Sequence, residues 1–320
     1  MALFKKILKI VFAILLAMVL LFCVLPYAFP VNERALGPGE KPFANSQFMT
    51  SENVTLHYRV FEPATDSCIG NILLIHGFCG STFSWRKNAD TFAAHGYRVV
   101  AVDIPGYGFS DRTQSINHAA TYNARLLWPL LDSIDPGKWI ITGHSMGAGT
   151  ALAMASSRPL STERVILVDG AFSGKGGNGS AGVAGSFMTS GPVKRWAEVL
   201  GKAFFFNQHK ITELLNSAYS APADSVSAAG YLQPLMLKNT ASSIMDMAGS
   251  KEVADINLQV INMPVLAVWG KNDTWVPYAR FEKYLKVPNL KIKLIDGAGH
   301  CPMETHSEIF NKEVLDFIGQ

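Results

Sequence analysis

The sequence predicts an α/β fold in which a mostly parallel central sheet is flanked by helices on both faces. Short apolar runs typical of buried strands alternate with segments of helical periodicity, and this alternation indicates a parallel sheet. With 320 residues, of which 48% are hydrophobic, the chain is long enough for one such domain with an insertion. A long apolar segment at the N-terminus adds an element outside this domain.

The N-terminal segment, residues 1–31, is predicted to be a signal anchor or transmembrane helix. Lys5, Lys6 and Lys9 precede a run from residue 10 to residue 31 that has no charged side chain, and about 20 such residues cross a bilayer. Because basic residues stay on the cytoplasmic side, we expect a single-pass membrane protein with a cytoplasmic N-terminus and an extracytoplasmic domain. The lipid bilayer is thus an expected partner. Secretion after cleavage of a signal peptide is the alternative.

The remainder of the chain is close to neutral, because the three lysines of this segment equal the formal net charge of +3. The sequence shows no basic stripe, so we expect no nucleic-acid partner. Residues 32–53 include Pro38, Gly39 and Pro42. These residue types favour loops, and the segment is predicted to be a tether between the membrane and the folded domain.

The folded core is predicted to comprise residues 54–170 and 255–320. Its strands are predicted from apolar or alternating runs at Val54–Phe61, Asn71–Ile75, Arg98–Val102, Lys138–Thr142, Val165–Val168, Pro264–Trp269 and Lys291–Ile295. Residues 171–254 interrupt this pattern. They begin with a glycine-rich stretch and continue with apolar stretches of helical character, among them Trp196–Phe206 and Leu235–Met247.

The stretch Gly143-His144-Ser145-Met146-Gly147 reads G-x-S-x-G and lies between a predicted strand and a run of small residues. Strand, sharp turn and helix form the context in which this motif presents a nucleophilic serine. Gly143 and Gly147 permit the tight backbone of such a turn. A serine hydroxyl attacks efficiently only when a base takes its proton, so the motif predicts a partner base and acid. His144 is interpreted as a packed residue.

On these features the chain after residue 53 resembles the α/β-hydrolase family, in its serine-nucleophile branch, where an acid and then a histidine follow the serine. The resemblance implies that Asp273, in a turn after the strand predicted at 264–269, is the acid. It also implies that His300, in a glycine-containing loop near the C-terminus, is the base. Asp169 ends an earlier strand, at a position where some family members carry the acid, and we interpret it as structural.

The resemblance extends to His76-Gly77-Phe78, which follows a predicted strand. In this family one backbone N–H after the His-Gly pair and another after the nucleophile form the oxyanion hole, which implies Phe78 and Met146. His76 is expected to order this loop. The family commonly carries a helical lid in the place of residues 171–254, and such a lid would shape an apolar pocket and exclude water. No cofactor is implied, and the sequence shows no metal-ligand spacing.

These features together predict a serine hydrolase that cleaves carboxylic esters of apolar, small-to-medium substrates through an acyl-enzyme. Hydrolases with the same triad remain alternatives: thioesterases, amidases, cofactor-free haloperoxidases and enzymes that cleave carbon–carbon bonds in ring-fission products, which the early loops also resemble. Outside catalysis, the alternative is a ligand receptor on a hydrolase fold. A serine at position 145 disfavours the dehalogenase and epoxide-hydrolase branches, which need an aspartate nucleophile. A Cys79–Cys301 disulfide is a further hypothesis, and the oligomeric state stays open.

Overall fold

The computed structural model describes residues 1–320 except 32, 38, 66, 113–115, 172–186, 188, 250–255, 283–286 and 320. An eight-stranded sheet forms its centre, with the strand order β1-β2-β4-β3-β5-β6-β7-β8. The strands are β1 Ser46–Ser51, β2 Val54–Phe61, β3 Gly70–Ile75, β4 Tyr97–Val102, β5 Trp139–His144, β6 Thr162–Val168, β7 Val265–Gly270 and β8 Leu290–Ile295.

The sheet is mostly parallel, as predicted. Two pairs, β1–β2 and β2–β4, are antiparallel, so β2 alone runs against the other strands, and the remaining pairs are all parallel. The central strands are buried on both faces, which explains why they are apolar at nearly every position. Because parallel strands end at one edge, the loops after β3, β5, β6 and β7 meet there, and this edge is where such folds bind ligands.

Helices cover both faces of the sheet. The helices are α1 Ala2–Ala28, α2 Ala89–Ala94, α3 Ala120–Ile134, α4 Met146–Ser157, α5 Gly191–Leu200, α6 Gln208–Tyr219, α7 Ser225–Leu235, α8 Thr240–Gly249, α9 Tyr278–Phe281, α10 Pro302–Thr305 and α11 Ser307–Ile318. Leu73 and Ile75 of β3 pack in the same core as α3 and α4, whereas Ile72 and Leu74 pack with α2 and α11. This division follows from the two-residue repeat of a strand.

Among the described residues between β6 and β7 there are four α-helices, α5 to α8, and we refer to residues 187 and 189–249 as the insertion. The rest of the segment predicted as a lid lies outside the described residues, apart from Ala171. The helical stretch predicted over Leu235–Met247 is in fact divided, because α7 ends at Leu235 and α8 begins at Thr240. Asn239 between them has a left-handed φ of 63°, which a continuous helix does not contain.

The segment predicted as a plain tether, 32–53, contains β1, which pairs along its whole length with β2. This is a correction, and its physical reason is a buried polar chain that fixes the strand. Ser46 Oγ lies 2.8 Å from His57 Nε2, and His57 Nδ1 lies 2.7 Å from Asp103 Oδ2. All three side chains are fully buried. Nearer the N-terminal helix, the carbonyl of Arg34 accepts a hydrogen bond from the Lys238 N–H of the insertion.

Helix α1 stands apart from the sheet, and its apolar side chains are mostly exposed. Within it, Leu3–Ala28 is long and apolar enough to cross a membrane. A signal sequence has the same two properties, so the length and composition of α1 fit both an anchor and a signal sequence.

Candidate active site

The nucleophile position is a strained turn between β5 and α4. Ser145 has a φ of 50°, a left-handed backbone conformation that residues other than glycine rarely adopt. The turn also requires its glycines: a Cβ on Gly143 would lie 2.3 Å from the Gly147 carbonyl oxygen, and one on Gly147 would lie 2.5 Å from that of His76. Strain of this kind marks functional positions, and here it places the serine at the edge where the parallel strands end.

The structure brings Ser145, His300 and Asp273 into one hydrogen-bonded chain. His300 Nε2 lies 2.9 Å from Ser145 Oγ, and His300 Nδ1 lies 2.8 Å from Asp273 Oδ2. The backbone N–H groups of Trp275 and Val276 donate to the other oxygen of Asp273 at 2.8 and 3.0 Å. The carboxylate is therefore fixed as the acceptor for Nδ1–H, and Nε2 is free to accept the serine proton.

The environment keeps Asp273 ionised. Burial alone raises the pKa of this carboxyl, but the hydrogen bond and charge of His300 and the Val276 N–H outweigh it, so the pKa lies below its ordinary value. His144 has a different role. Its Nε2–H donates to the His300 carbonyl at 2.8 Å, and burial together with nearby His300 lowers the pKa of His144 to about 3. His144 is therefore neutral at physiological pH and holds the backbone of His300.

A second carboxyl, Asp169, lies directly behind the first. It is fully buried at the end of β6 with a φ of 42°, and its Oδ1 accepts the Gly270 N–H at 3.0 Å. Its Oδ2 is buried without a donor. Burial, and then the neighbouring Asp273, raise the pKa of Asp169 well above its ordinary value. Two neighbouring buried carboxyls do not readily ionise together, and the raised pKa of Asp169 beside the lowered pKa of Asp273 favours Asp169 as the member that keeps a proton.

The sequence predicts Asp169 at the end of a strand but does not predict that its carboxyl lies beside that of Asp273. Ligand atoms of Asp169, Asp273 and His300 lie within 4.8 Å of one another, a spacing that metal ligands also show. The 2.8 Å separation of His300 Nδ1 and Asp273 Oδ2 is that of a direct hydrogen bond. The cluster is thus described by this hydrogen bond and by the raised pKa of the neighbouring Asp169 carboxyl.

The loop predicted to form the oxyanion hole passes beside the nucleophile. A Cβ on Gly77 would lie 2.9 Å from the Ser145 Cβ, so only glycine permits this approach. His76 lies within hydrogen-bonding distance of the Gly77 carbonyl through Nδ1 (2.7 Å), and its Nε2 accepts the Ile104 N–H (3.1 Å). Met146 begins α4, and the first N–H groups of a helix lack intrahelical partners. Its N–H is therefore available beside Ser145.

A cavity of about 140 Å³ opens at Ser145 and His300. Its walls are mostly apolar, and they comprise Gly77, Phe78, Cys79, Gly80, Ser84, His144, Leu214, Leu215, Ala218, Tyr231, Trp275 and Cys301. Four of these residues belong to the insertion. None of the described lining residues is a lysine or an arginine, so this part of the cavity offers no cation to a substrate carboxylate.

A buried polar cluster fastens the insertion to the core beside this cavity. The Tyr231 hydroxyl lies 2.8 Å from Ser84 Oγ and also bonds to Glu304, which accepts the Tyr219 hydroxyl at 2.7 Å. Arg86 pairs with the same carboxylate. Because a buried charge without its partner is costly, the cluster ties α6 and α7 to the residues after His300.

The hypothesis of a Cys79–Cys301 disulfide is wrong. Both residues line the cavity, but each is a free thiol. Burial raises the pKa of Cys79 to about 12 and that of Cys301 well above its usual value. Thiols of this kind are not nucleophiles at neutral pH.

With this geometry established, the family can be assigned. The family model described as alpha/beta hydrolase fold matches residues 70–307. The chain belongs to this family. Its curated relatives are hydrolases, so this protein is a hydrolase and the receptor alternative is set aside.

Relatives over nearly the whole chain share one activity. The 2-hydroxy-6-oxononadienedioate/2-hydroxy-6-oxononatrienedioate hydrolase of Paraburkholderia phymatum is 29% identical over 287 residues, 87% of this chain and 96% of the relative. The enzyme of the same name from Cupriavidus pinatubonensis is 26% identical over 284 residues, 86% of this chain and 95% of the relative.

Solved structures agree on the fold. An epoxide hydrolase superposes with a TM-score of 0.69 at 16% identity, covering 86% of this chain and 98% of its own. A membrane phospholipase A superposes with a TM-score of 0.66 at 18% identity, covering 98% of both chains. At such identities these structures support the fold alone.

These relatives correct the predicted reaction. The sequence led us to expect the cleavage of carboxylic esters, but the curated relatives are named as hydrolases of 2-hydroxy-6-oxononadienedioate, which are carbon–carbon bond hydrolases. The prediction of an esterase is therefore wrong, and the alternative of a carbon–carbon bond hydrolase is the better supported. A shared triad does not reveal which bond is broken, because the carbonyl attacked is common to both reactions.

Proposed function

We propose that this protein hydrolyses a carbon–carbon bond next to a ketone in 2-hydroxy-6-oxo-dienoate substrates. The observation that carries the proposal is the chain from Ser145 Oγ through His300 to Asp273, opening into an apolar cavity. The choice of a carbon–carbon bond rests on the activity named for relatives that align with 86% and 87% of this chain.

In the first step, Ser145 Oγ adds to the 6-oxo carbon while His300 Nε2 takes the serine proton. Asp273 stabilises the imidazolium that forms. The charge that develops on the 6-oxo oxygen faces the backbone N–H groups of Phe78 and Met146. Removing one such donor typically raises the barrier by roughly 3 kcal/mol.

The carbon leaving group needs a place for its electrons. When the 2-hydroxy-diene has ketonised, the electron pair of the broken C5–C6 bond passes through the conjugated chain to the C2 oxygen. The leaving fragment is then a dienolate, which takes the proton from His300. Water, activated by His300 in its neutral form, releases the acyl group from Ser145 as a carboxylic acid. The sum is one water consumed and two products formed.

The cavity supports a preference for the group carried at C6. Its described lining is apolar and includes no lysine or arginine, so an aryl or alkyl group fits this part of the cavity better than a carboxylate does. We propose that the insertion acts as the lid of the site, because α6 and α7 supply Leu214, Leu215, Ala218 and Tyr231 to the lining.

The test compares two dienoates, one with a 6-phenyl group and one dioate, by loss of dienolate absorbance and by mass identification of both products. We expect the wild-type protein to turn over the phenyl substrate and the Ser145→Ala variant to be inactive. Ser156→Ala, a change on α4 outside the cavity lining, should leave the protein active. A folded protein that leaves both dienoates intact would refute the proposal.

We also propose that α1 is retained as a membrane anchor, with the N-terminus cytoplasmic and the hydrolase on the other side. Its length and composition support this proposal, as does the placement of Lys5, Lys6 and Lys9 ahead of the apolar run. N-terminal sequencing of membrane-extracted protein tests it, since cleavage after α1 would yield a shorter, soluble chain.

A further inference from the structure

The insertion packs against the last two turns of α1. The Trp196 indole N–H of α5 donates to the Phe22 carbonyl at 3.0 Å, and its ring lies 6.1 Å from the rings of both Phe22 and Phe29. Arg195 donates to the Phe29 carbonyl at 2.8 Å. At 1.5 Å per residue, Phe22 lies roughly 9 Å before the end of α1. Helix α5 therefore lies alongside the apolar part of the anchor.

The face of α5 that contacts α1 continues as an exposed apolar surface. Leu200 follows Trp196 by four residues and so lies on the same face of α5, and Phe204 and Phe205 follow directly in a π-helical turn over Gly201–Phe205. Phe204 and Phe205 are 62% and 61% exposed, and Phe187, also exposed, stacks on Phe22 at 6.4 Å. We call Phe187, Leu200, Phe204 and Phe205 the aromatic patch.

The opposite face of α5 is already occupied by polar contacts within the insertion. Lys194 pairs with Asp246 at 2.5 Å, and Glu198 accepts the Ser242 N–H of α8 at 2.8 Å. Helix α5 thus presents its polar side to the protein and its apolar side outward. Soluble proteins rarely expose contiguous apolar patches. An exposed apolar surface beside a helix able to span a membrane therefore indicates contact with lipid.

We propose that the aromatic patch lies in the boundary between headgroups and acyl chains of the bilayer that α1 spans. The proposal rests on the anchoring role of α1 and is independent of the bond that the enzyme cleaves. Lipid is favoured as the occupant because the patch is continuous with α1, whose apolar side chains are exposed along its length. Trp196 and Arg195 also suit this depth, where amphipathic side chains concentrate.

The consequence concerns the path of the substrate. The insertion that carries the aromatic patch also supplies Leu214, Leu215 and Tyr231 to the cavity at Ser145. A dienoate whose apolar C6 group lies in the bilayer, with its carboxylate at the headgroups, would reach the insertion first. The membrane thereby acts as the reservoir from which the site is filled.

The experiment uses the full chain in phosphatidylcholine nanodiscs with the photoreactive amino acid p-benzoyl-phenylalanine placed singly at 204 or 205. Position 15, in the middle of α1, is the positive control. Position 160 is the matched control, because Leu160 is 87% exposed but precedes β6, at the edge of the sheet opposite Ser145. Adducts are identified by mass after irradiation.

We expect lipid adducts at 15, 204 and 205 and none at 160. Adducts at 15 without any at 204 and 205 would overturn the proposal, and a cross-link from 204 to a second copy would assign the patch to an interface between chains. If position 15 also gives none, α1 is not in the bilayer and the anchoring proposal fails with it. Turnover measured in the same nanodiscs reports on the proposed reaction separately.

Discussion

The paired carboxyls behind His300 give the sharpest test of the site. In the proposed arrangement Asp273 is ionised and accepts from the imidazole, whereas the raised pKa of Asp169 favours its neutral, protonated form beside Asp273. The two substitutions Asp273→Asn and Asp169→Asn make the same chemical change, in which an amide nitrogen of similar size replaces one carboxyl oxygen. They should nevertheless have very different effects, because only the first removes a charge.

Asp273→Asn removes the acceptor that fixes the tautomer of His300. The equivalent change in serine proteases lowers kcat about 10⁴-fold, which corresponds to roughly 5 kcal/mol in the barrier. In Asp169→Asn the amide oxygen can still accept the Gly270 N–H, and the amide nitrogen can replace the carboxyl proton as donor to Asp273. We therefore expect kcat to change by less than about threefold, since the group is neutral before and after the change.

The measurement is kcat and KM for the 6-phenyl dienoate at pH 7.5, with circular dichroism to show that both variants are folded. A fall of about 10³-fold or more in Asp169→Asn, with Asp273→Asn near wild type, would refute the assignment and make Asp169 the acid. Equal large losses would indicate that the pair acts as a single unit whose proton cannot be placed on one member.

Three further predictions follow from the same contacts. Because the pKa of Asp169 is raised in the folded state, the stabilisation that comes from its protonation is fully present below about pH 4 and is lost as pH rises towards the folded pKa. Asp169→Asn should therefore raise the melting temperature more at pH 8 than at pH 5. A constant difference in melting temperature would contradict this. Ser145→Ala should abolish labelling by a fluorophosphonate while the melting temperature stays within a few degrees of wild type. Leu214→Arg places a cation in the exposed part of the cavity wall and should raise kcat/KM for the dioate relative to the phenyl substrate by roughly tenfold, about 1.4 kcal/mol, with Leu160→Arg as the control that leaves the ratio unchanged.

Much of the architecture could be predicted because it depends on local patterns. The buried parallel strands are apolar at nearly every position, and β2 begins and ends where alternation predicted, at Val54–Phe61. Strand β1 was missed because it is a short edge strand whose middle residues are exposed. Its position depends on Ser46 bonding to His57, which is eleven residues away in the chain but on the neighbouring strand.

The site shows the same division. Ser145 and His300 follow strand patterns and recognisable turns, so their approach could be expected from a parallel sheet. The contact of Asp169 with Asp273 depends on two side chains meeting at neighbouring strand ends, 104 positions apart in the numbering. No local sequence pattern predicts this contact or the raised pKa of Asp169 that accompanies it. The sequence also could not predict which bond is cleaved, because this depends on the leaving group of the substrate and not on the nucleophile.

The buried chain from Ser46 through His57 to Asp103 has nearly the same distances as the chain at Ser145, yet no reagent can reach it. Reactive geometry and access are thus separate properties in this molecule. Access to Ser46 would require β1 to separate from β2, and that separation would remove His57, the base beside the serine. This second set of residues therefore stays unreactive in the intact enzyme, where reagents cannot enter, and also in an opened one, where the serine and its base have parted.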